Sequence, residues 1–308
     1  MRPITFFTLF LIIPIAILAQ DEVMLSANDL QLYGTLLTPD SPTNKAILII
    51  SGSGQTDRDG NSKPGYINNS LKKLAELLQK EGFAVLRYDK RSVGKSISDS
   101  LKVENLRFEQ YAADASLWIT FLKNKYKDIT VIGHSQGALV AMLAIQNNNV
   151  DRFISLAGLS EDAYTTVKRQ LANQPEFVKN DSYPILDSLR IGIKVDSIPQ
   201  YLYSLFNPKI QDYFISFMKY DPREEIKKLT CPIMIIQGSA DIQITVEGAT
   251  QLSEETPFST LKIIDGMNHV LRKSSTDAAE NMATYSNPDL PLHEDLIEVL
   301  LNFIKQSK

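Results

Sequence analysis

What most narrows the folds open to this chain is the alternation of short apolar runs with helical spacings. Residues 46–50, 83–86, 129–132, 153–156, 233–236 and 261–264 are brief and largely apolar, the pattern of strands buried on both faces. Between them, leucines at 71, 74, 77 and 78 mark a helix over 67–80. Further helices are predicted over 108–122, over 136–146, from Val246, and over 292–304. Gly82 stands where the first of these helices must stop. Parallel neighbours need a crossover of a dozen or more residues, so this rhythm predicts an α/β fold. Its mostly parallel, doubly wound sheet carries helices on both faces. Two strand-like pieces, 23–25 and 30–37, precede it, and the second alternates in polarity as a half-buried antiparallel strand does.

The rhythm fails from Ser160 to Glu225. That stretch carries prolines at 175, 184, 199, 208 and 222 and scattered tyrosines, with no short apolar strand. It reads as a mostly helical cap of residues 160–225 inserted after the sixth core strand, between core segments 20–159 and 226–308. Ligands of open α/β sheets bind in the crevice at the carboxyl ends of the strands, so a cap at this point lies over the crevice.

Residues 1–19 have the organisation of a secretory signal peptide: Arg2, an apolar run over 6–18, and Ala19 before the polar Gln20-Asp21-Glu22. Cleavage is expected after Ala19, although Ile17 departs from the small-residue rule at the −3 position. An exported protein, periplasmic or secreted, is the expectation. The run is shorter than the ~20 residues that cross a bilayer, so no stable membrane anchor is expected. An uncleaved anchor is the alternative, and the absence of a cysteine near the exit argues against a lipidated form. Cys231 is the only cysteine, so no internal disulfide can form; beside Pro232 it reads as a small buried hydrophobe. A net charge of −4 with no basic stripe excludes nucleic acid as a partner, and Lys72-Lys73 reads as a solvated helix face. Nothing in the sequence speaks to oligomeric state.

The chemistry concentrates in Gly133-His-Ser-Gln-Gly137, which lies between a β-rich run and an Ala/Leu-rich helix. A nucleophile needs a sharp strand-to-helix turn that exposes its hydroxyl with a helix N-terminus behind it. Glycines two residues to either side allow the close approach. The five-residue pattern alone is common; the strand–turn–helix context makes Ser135 the candidate nucleophile. Serine also needs a base and an orienting acid, in the chain order Ser, Asp or Glu, His.

The chain has three histidines. His134 is inside the turn and poorly placed to serve its neighbour, and His293 reads as a surface or capping residue before the last helix. His269, in the loop after the last strand, is the candidate base. Asp241, three residues past Gly238 in the loop after the preceding strand, is the candidate acid, although an aspartate there can equally be an Asx turn. Glu247, inside the next helix, and Glu161 and Asp162, after the sixth strand, are rivals.

An oxyanion hole takes one N–H from the residue after the nucleophile, Gln136, and one from the loop after an earlier strand. There Ser51-Gly-Ser-Gly-Gln-Thr-Asp-Arg-Asp-Gly-Asn61 offers Ser53, with Gly52 and Gly54 as site-shaping residues. Asp57, Arg58 and Asp59 fit an ion-paired loop that shapes the site and a solvated turn equally well. Val93-Gly-Lys-Ser96 resembles the end of a phosphate-binding loop, but Asp89 occupies the place of the first required glycine. No cluster has metal-ligand spacing, and no cofactor is called for.

Taken together, the 51–61 loop, Asp89-Lys-Arg-Ser-Val-Gly-Lys-Ser96, Gly133–Gly137, Gly238-Ser-Ala-Asp241 and Gly266-Met-Asn-His269 resemble the bacterial α/β-hydrolase esterases. The nearest likeness is to EstD-type carboxylesterases, which overlap with serine aminopeptidase-like (S33) hydrolases. The resemblance spans about residues 30–305 except the cap. It implies the α/β-hydrolase fold, hydrolysis of carboxylic esters of short-to-medium acyl groups, no cofactor, and the same three residues: Ser135, Asp241 and His269. Two positions depart from the pattern: Ser51-Gly52 replaces a common His-Gly, and Gln55 stands where proline is common. The expected partner is a small acyl ester. The rival readings are an aminopeptidase-like enzyme, which needs an acidic group such as Glu161, Asp162 or Glu176 to hold an amine, and a non-catalytic binding protein on the same scaffold.

Overall fold

A computed structural model describes residues 20–27, 30–62, 65–98 and 101–306; the segment 1–19 expected to be a signal peptide, with the cleavage expected after Ala19, lies outside the described residues. Eight strands form one sheet in the order β1-β2-β4-β3-β5-β6-β7-β8. They are β1 (Gln20–Ala27), β2 (Leu30–Leu37), β3 (Lys45–Ile50), β4 (Ala84–Tyr88), β5 (Asp128–His134), β6 (Arg152–Leu156), β7 (Ile233–Gly238) and β8 (Ser259–Ile264). β1 pairs antiparallel with β2 and β2 antiparallel with β4; every later pairing is parallel. The order reverses at β3, so β3 and β5 lie side by side, Ile50 opposite Gly133. That is the switch point where crossovers leave to opposite faces and a crevice opens at the strand ends.

Side chains alternate across each strand, and both faces are covered. Ala46, Leu48 and Ile50 of β3 enter one core with Ile129 and Val131 of β5, while Ile47, Ile49 and Ile132 enter the other. The helices divide accordingly. α1 (Ser70–Lys80) packs on the second core through Leu71, Leu74 and Leu78, and α2 (Phe108–Lys123) and α3 (Gln136–Ile145) pack on the first. Each fully buried aliphatic side chain stabilises by roughly 1.5–3 kcal/mol. α1 begins at Ser70 rather than at Ile67, because Asn69 in the left-handed region (φ 53°) ends the preceding loop.

Between β6 and β7 the chain forms α4 (Ala163–Ala172), α5 (Glu176–Arg190), α6 (Tyr203–Phe206), α7 (Gln211–Phe217) and α8 (Pro222–Ile226). Leu171, Leu186, Leu189, Phe206, Phe214 and Phe217 from these helices join the first core. Phe217 stacks on Phe108 of α2 at 4.6 Å, and the Ser216 hydroxyl accepts from the Phe108 N–H at 2.7 Å. The helical segment is therefore anchored to the start of α2. After β7 come α9 (Val246–Glu254), α10 (Ala278–Ala283) and α11 (Glu294–Ile304). His293 is the N-cap of α11 and is buried, not on the surface: Nδ1 accepts from the Asp295 N–H, and Nε2 meets the Asp265 carbonyl at 2.9 Å. Cys231 is half-buried, and burial raises its thiol to about 11. Among the described residues no helix is long and apolar enough to cross a membrane.

Candidate active site

β5 ends at His134 and α3 begins at Gln136, so the whole strand-to-helix turn is made at Ser135, with φ 55° and ψ −125°. Such a backbone costs on the order of 1–3 kcal/mol in a non-glycine residue and persists only where its surroundings impose it. Here the glycines impose it. A Cβ at Gly133 would stand 2.4 Å from Cα of Ala138, and one at Gly137 would stand 2.4 Å from the carbonyl oxygen of Ile50. Strand, helix and the end of β3 can meet this closely only without those carbons. The Gln136 N–H opens α3, among the first-turn N–H groups that have no intrahelical partner.

Asp241 and His269 are brought together by the loops after β7 and β8. A Cβ at Gly238 would lie 1.9 Å from the carbonyl oxygen of Met267, so the two loops touch through a glycine. His269 Nδ1 is 2.8 Å from Asp241 Oδ2. A carboxylate only accepts, so Nδ1 carries the hydrogen and Nε2 keeps its lone pair. The same Asp241 oxygen accepts from Gln237 Nε2 at 3.0 Å, and Oδ1 accepts from the backbone N–H of Gln243 at 2.7 Å and of Ile244 at 3.0 Å. Burial pushes the Asp241 carboxyl up, but the neighbouring imidazole, its hydrogen bond and these amides together hold it below its ordinary value. The Asp241 carboxylate is thus kept ionised, with both oxygens occupied by donors.

His134 does not serve Ser135. Its Nε2 donates to the His269 backbone carbonyl at 2.9 Å, and the two rings stand 5.0 Å apart. Burial lowers this ring to about 4, so it is a neutral brace between the turn and the His269 loop. The rivals of Asp241 lie elsewhere: Glu247 is exposed on α9, Asp162 caps α4 through the Thr165 N–H, and Glu161 pairs with Arg169 at 3.2 Å. Glu176 pairs with Lys179 on α5.

The loop after β3 lies against Ser135: a Cβ at Gly52 would sit 3.1 Å from Ser135 Cβ. Of the two readings open for Asp57, Arg58 and Asp59, the ion-paired one describes Arg58 and Asp59, and the turn describes Asp57. Arg58 pairs with Asp89 at 2.8 Å and donates to Thr35 Oγ1, Asp59 pairs with Arg87, and Asp57 accepts the N–H groups of Asp59 and Asn61. Asp89 also accepts the N–H of Lys95 at 2.9 Å, so the segment that mimics a phosphate loop braces the 51–61 loop instead.

Two cavities meet at Ser135, Ser53 and Gln243. One, of about 260 Å³, is lined by His269 and by Ser62, Asn68, Tyr66 and Tyr285. The other, of about 320 Å³, is lined by Gln136 and by Leu159, Val167, Leu205, Phe214 and Phe217, mostly from the segment between β6 and β7. Gln243 Nε2 donates to the Tyr285 hydroxyl at 2.9 Å, and the Tyr213 hydroxyl donates to Gln136 Oε1 at 2.9 Å. Reasoning from the sequence missed Gln237, Gln243 and Lys90. Lys90 was legible in one respect: a lysine two residues past a buried strand lies near the strand end that borders the crevice. Among the described residues no group of His, Cys, Asp or Glu could hold a metal ion.

The fold is that of the α/β hydrolases. The family model for serine aminopeptidase, S33, matches residues 65–181. Esterase EstD of Thermotoga maritima is 28% identical over 243 residues, which is 73% of this chain and 54% of that relative, so the chain spans about half the relative's length. Monoglyceride lipase of Rattus norvegicus is 25% identical over 224 residues, 68% of this chain and 73% of the relative. Among solved structures, Est1E from Butyrivibrio proteoclasticus with bound ferulic acid superposes with a TM-score of 0.60 at 19% identity, covering 92% of this chain and all of that one. The chain thus has the α/β-hydrolase fold and is similar in sequence to an esterase and a lipase.

Proposed function

We propose that the protein hydrolyses carboxylic esters through an acyl-enzyme on Ser135. His269 Nε2 removes the Ser135 proton as the hydroxyl attacks the carbonyl. The Gln136 and Ser53 N–H groups hold the oxyanion, and Asp241 stabilises the imidazolium. The proton then passes to the departing alcohol, and water releases the acyl group by the same steps in reverse. The observation that carries this reading is the Asp241–His269 pair at 2.8 Å, whose ring opens on the cavity that also holds Ser135 at its strained turn.

The two cavities support an orientation. The leaving oxygen must take its proton from His269, so the alcohol belongs in the more polar cavity that His269 lines. The apolar cavity then receives a short-to-medium acyl group between Val167, Leu205, Phe214 and Phe217. Neither cavity is lined by a carboxylate side chain among the described residues, which disfavours an aminopeptidase, since such an enzyme must hold a substrate ammonium. The test is a panel of p-nitrophenyl esters of increasing acyl length beside aminoacyl amides, with Ser135→Ala as control. Ester turnover that disappears in Ser135→Ala supports the proposal; amide turnover alone, or wild-type rates in the variant, refutes it. Failure of Ser135 to label with a fluorophosphonate would point instead to a binding protein on this scaffold.

A further inference from the structure

Lys90, two residues past the end of β4, is 3% exposed, and among the described residues no carboxylate lies within ion-pair reach of it, although Asp57 attracts it from farther off. Its Nζ donates to the carbonyl of Gly52 and, at 3.2 Å, to the carbonyl of Gly54. Burying an ammonium without a carboxylate partner is costly, and desolvation accordingly lowers this amine to about 7. A cation placed at such cost on two carbonyls of one loop calls for a reason beyond packing.

Peptide geometry supplies one. The Gly52 carbonyl and the Ser53 N–H belong to the same planar unit, and in a trans peptide they point in opposite directions. A cation that holds the carbonyl on one side therefore turns the N–H to the other. Ser135 lies beside this peptide: Gly52 packs against it, and Ser53 lines both cavities with it. The following peptide is held as well, because the Thr56 hydroxyl donates to the Ser53 carbonyl at 2.7 Å. Hydrogen bonds in series polarise one another, so the Lys90 amine on the carbonyl, most strongly in its protonated form, also makes the N–H a stronger donor.

We infer that Lys90 is a positioning residue of the oxyanion hole, fixing and polarising the Gly52–Ser53 peptide so that the Ser53 N–H meets the negative charge that develops on the substrate. The inference rests on the acyl-transfer reading of Ser135. Lys90 touches no substrate; it acts through the peptide. A donor that works on developing charge stabilises the transition state and leaves ground-state binding nearly untouched.

The experiment compares wild type, Lys90→Met and Lys90→Gln on p-nitrophenyl butyrate, with circular dichroism to confirm folding and with inhibition by an alkylboronic acid. The boronate becomes a tetrahedral anion on a serine hydroxyl and so reports on the hole directly. Lys90→Met is expected to lower kcat by about tenfold to a hundredfold, less than outright removal of an oxyanion donor. KM should stay within about threefold, and boronate affinity should fall by the same factor as kcat. Lys90→Gln keeps an N–H donor without the charge and should fall between; it gives the same comparison where the Met variant does not fold. A folded variant whose kcat stays within about twofold overturns the inference, as does a kcat loss with unchanged boronate affinity, which would mark a merely structural lysine. Absence of Ser135-dependent turnover in the wild type is a different failure: it refutes the acyl-transfer reading, and the role of Lys90 with it.

Discussion

Replacing Asp241 by asparagine separates the orientation of the base from the shape of the site. The carboxylate receives four donors: His269 Nδ1 and Gln237 Nε2 on Oδ2, and the N–H groups of Gln243 and Ile244 on Oδ1. An asparagine has one accepting oxygen and one donating amino group. The two backbone N–H groups cannot turn away, so the amide oxygen must stay with them and the amino group must face His269. His269 then has to present an unprotonated Nδ1, which moves its hydrogen to Nε2 and removes the lone pair that accepts the Ser135 proton. The comparable change in a serine protease, a worked case of tautomer reversal, costs about 10⁴ in kcat, which is about 5 kcal/mol of barrier. The same loss is expected here, with KM little changed and the fold intact by circular dichroism. Stopped-flow or steady-state assay of ester turnover in Asp241→Asn reads it directly. A folded variant that retains kcat within about tenfold of wild type would refute the assignment of the acid and the hydrogen-bond argument together.

Three further outcomes follow from other parts of the site. Ser135→Gly should abolish turnover while raising stability by about 1 kcal/mol, because glycine adopts φ 55° without the strain a serine carries; a lower melting temperature than wild type contradicts this. Gly238→Ala places a carbon 1.9 Å from the Met267 carbonyl oxygen, forcing the Asp241 and His269 loops apart at about 1–3 kcal/mol; unchanged kcat and unchanged melting temperature would show that the loops need no such contact. His134 has its folded pKa lowered to about 4 from 6.5 by burial. Its contribution is therefore fully present above about pH 6.5 and is lost as pH falls toward 4, by about 3 kcal/mol. Urea midpoints at several pH values should show this acid loss in wild type and a flatter profile in His134→Asn; parallel profiles would refute it.

The sheet was legible because its strands are buried on both faces and carry unbroken apolar runs, and because parallel pairing demands the helices between them. Ser135 was legible for a related reason: a turn made at one residue needs glycines on both sides, and those glycines are visible in one short motif. Asp241 and His269 came from scarcity and chain order, with three histidines and one suitable loop before the last strand. Gln237 and Lys90 were hidden for different reasons: Gln237, only four residues from Asp241, by the apolar strand around it, and Lys90 by its distance along the chain from what it serves. Gln237 sits inside an apolar strand, where its amide reads as an interruption until Asp241 is seen folded back upon it. Lys90 is 36 and 38 residues from the carbonyls it holds, and in the sequence it is overshadowed by Asp89 and Arg91, each committed to an ion pair of its own. Motifs record the residues whose backbone geometry the chemistry demands; the side chains that hold that geometry in place are contributed from across the sheet, wherever a strand happens to end beside the loop.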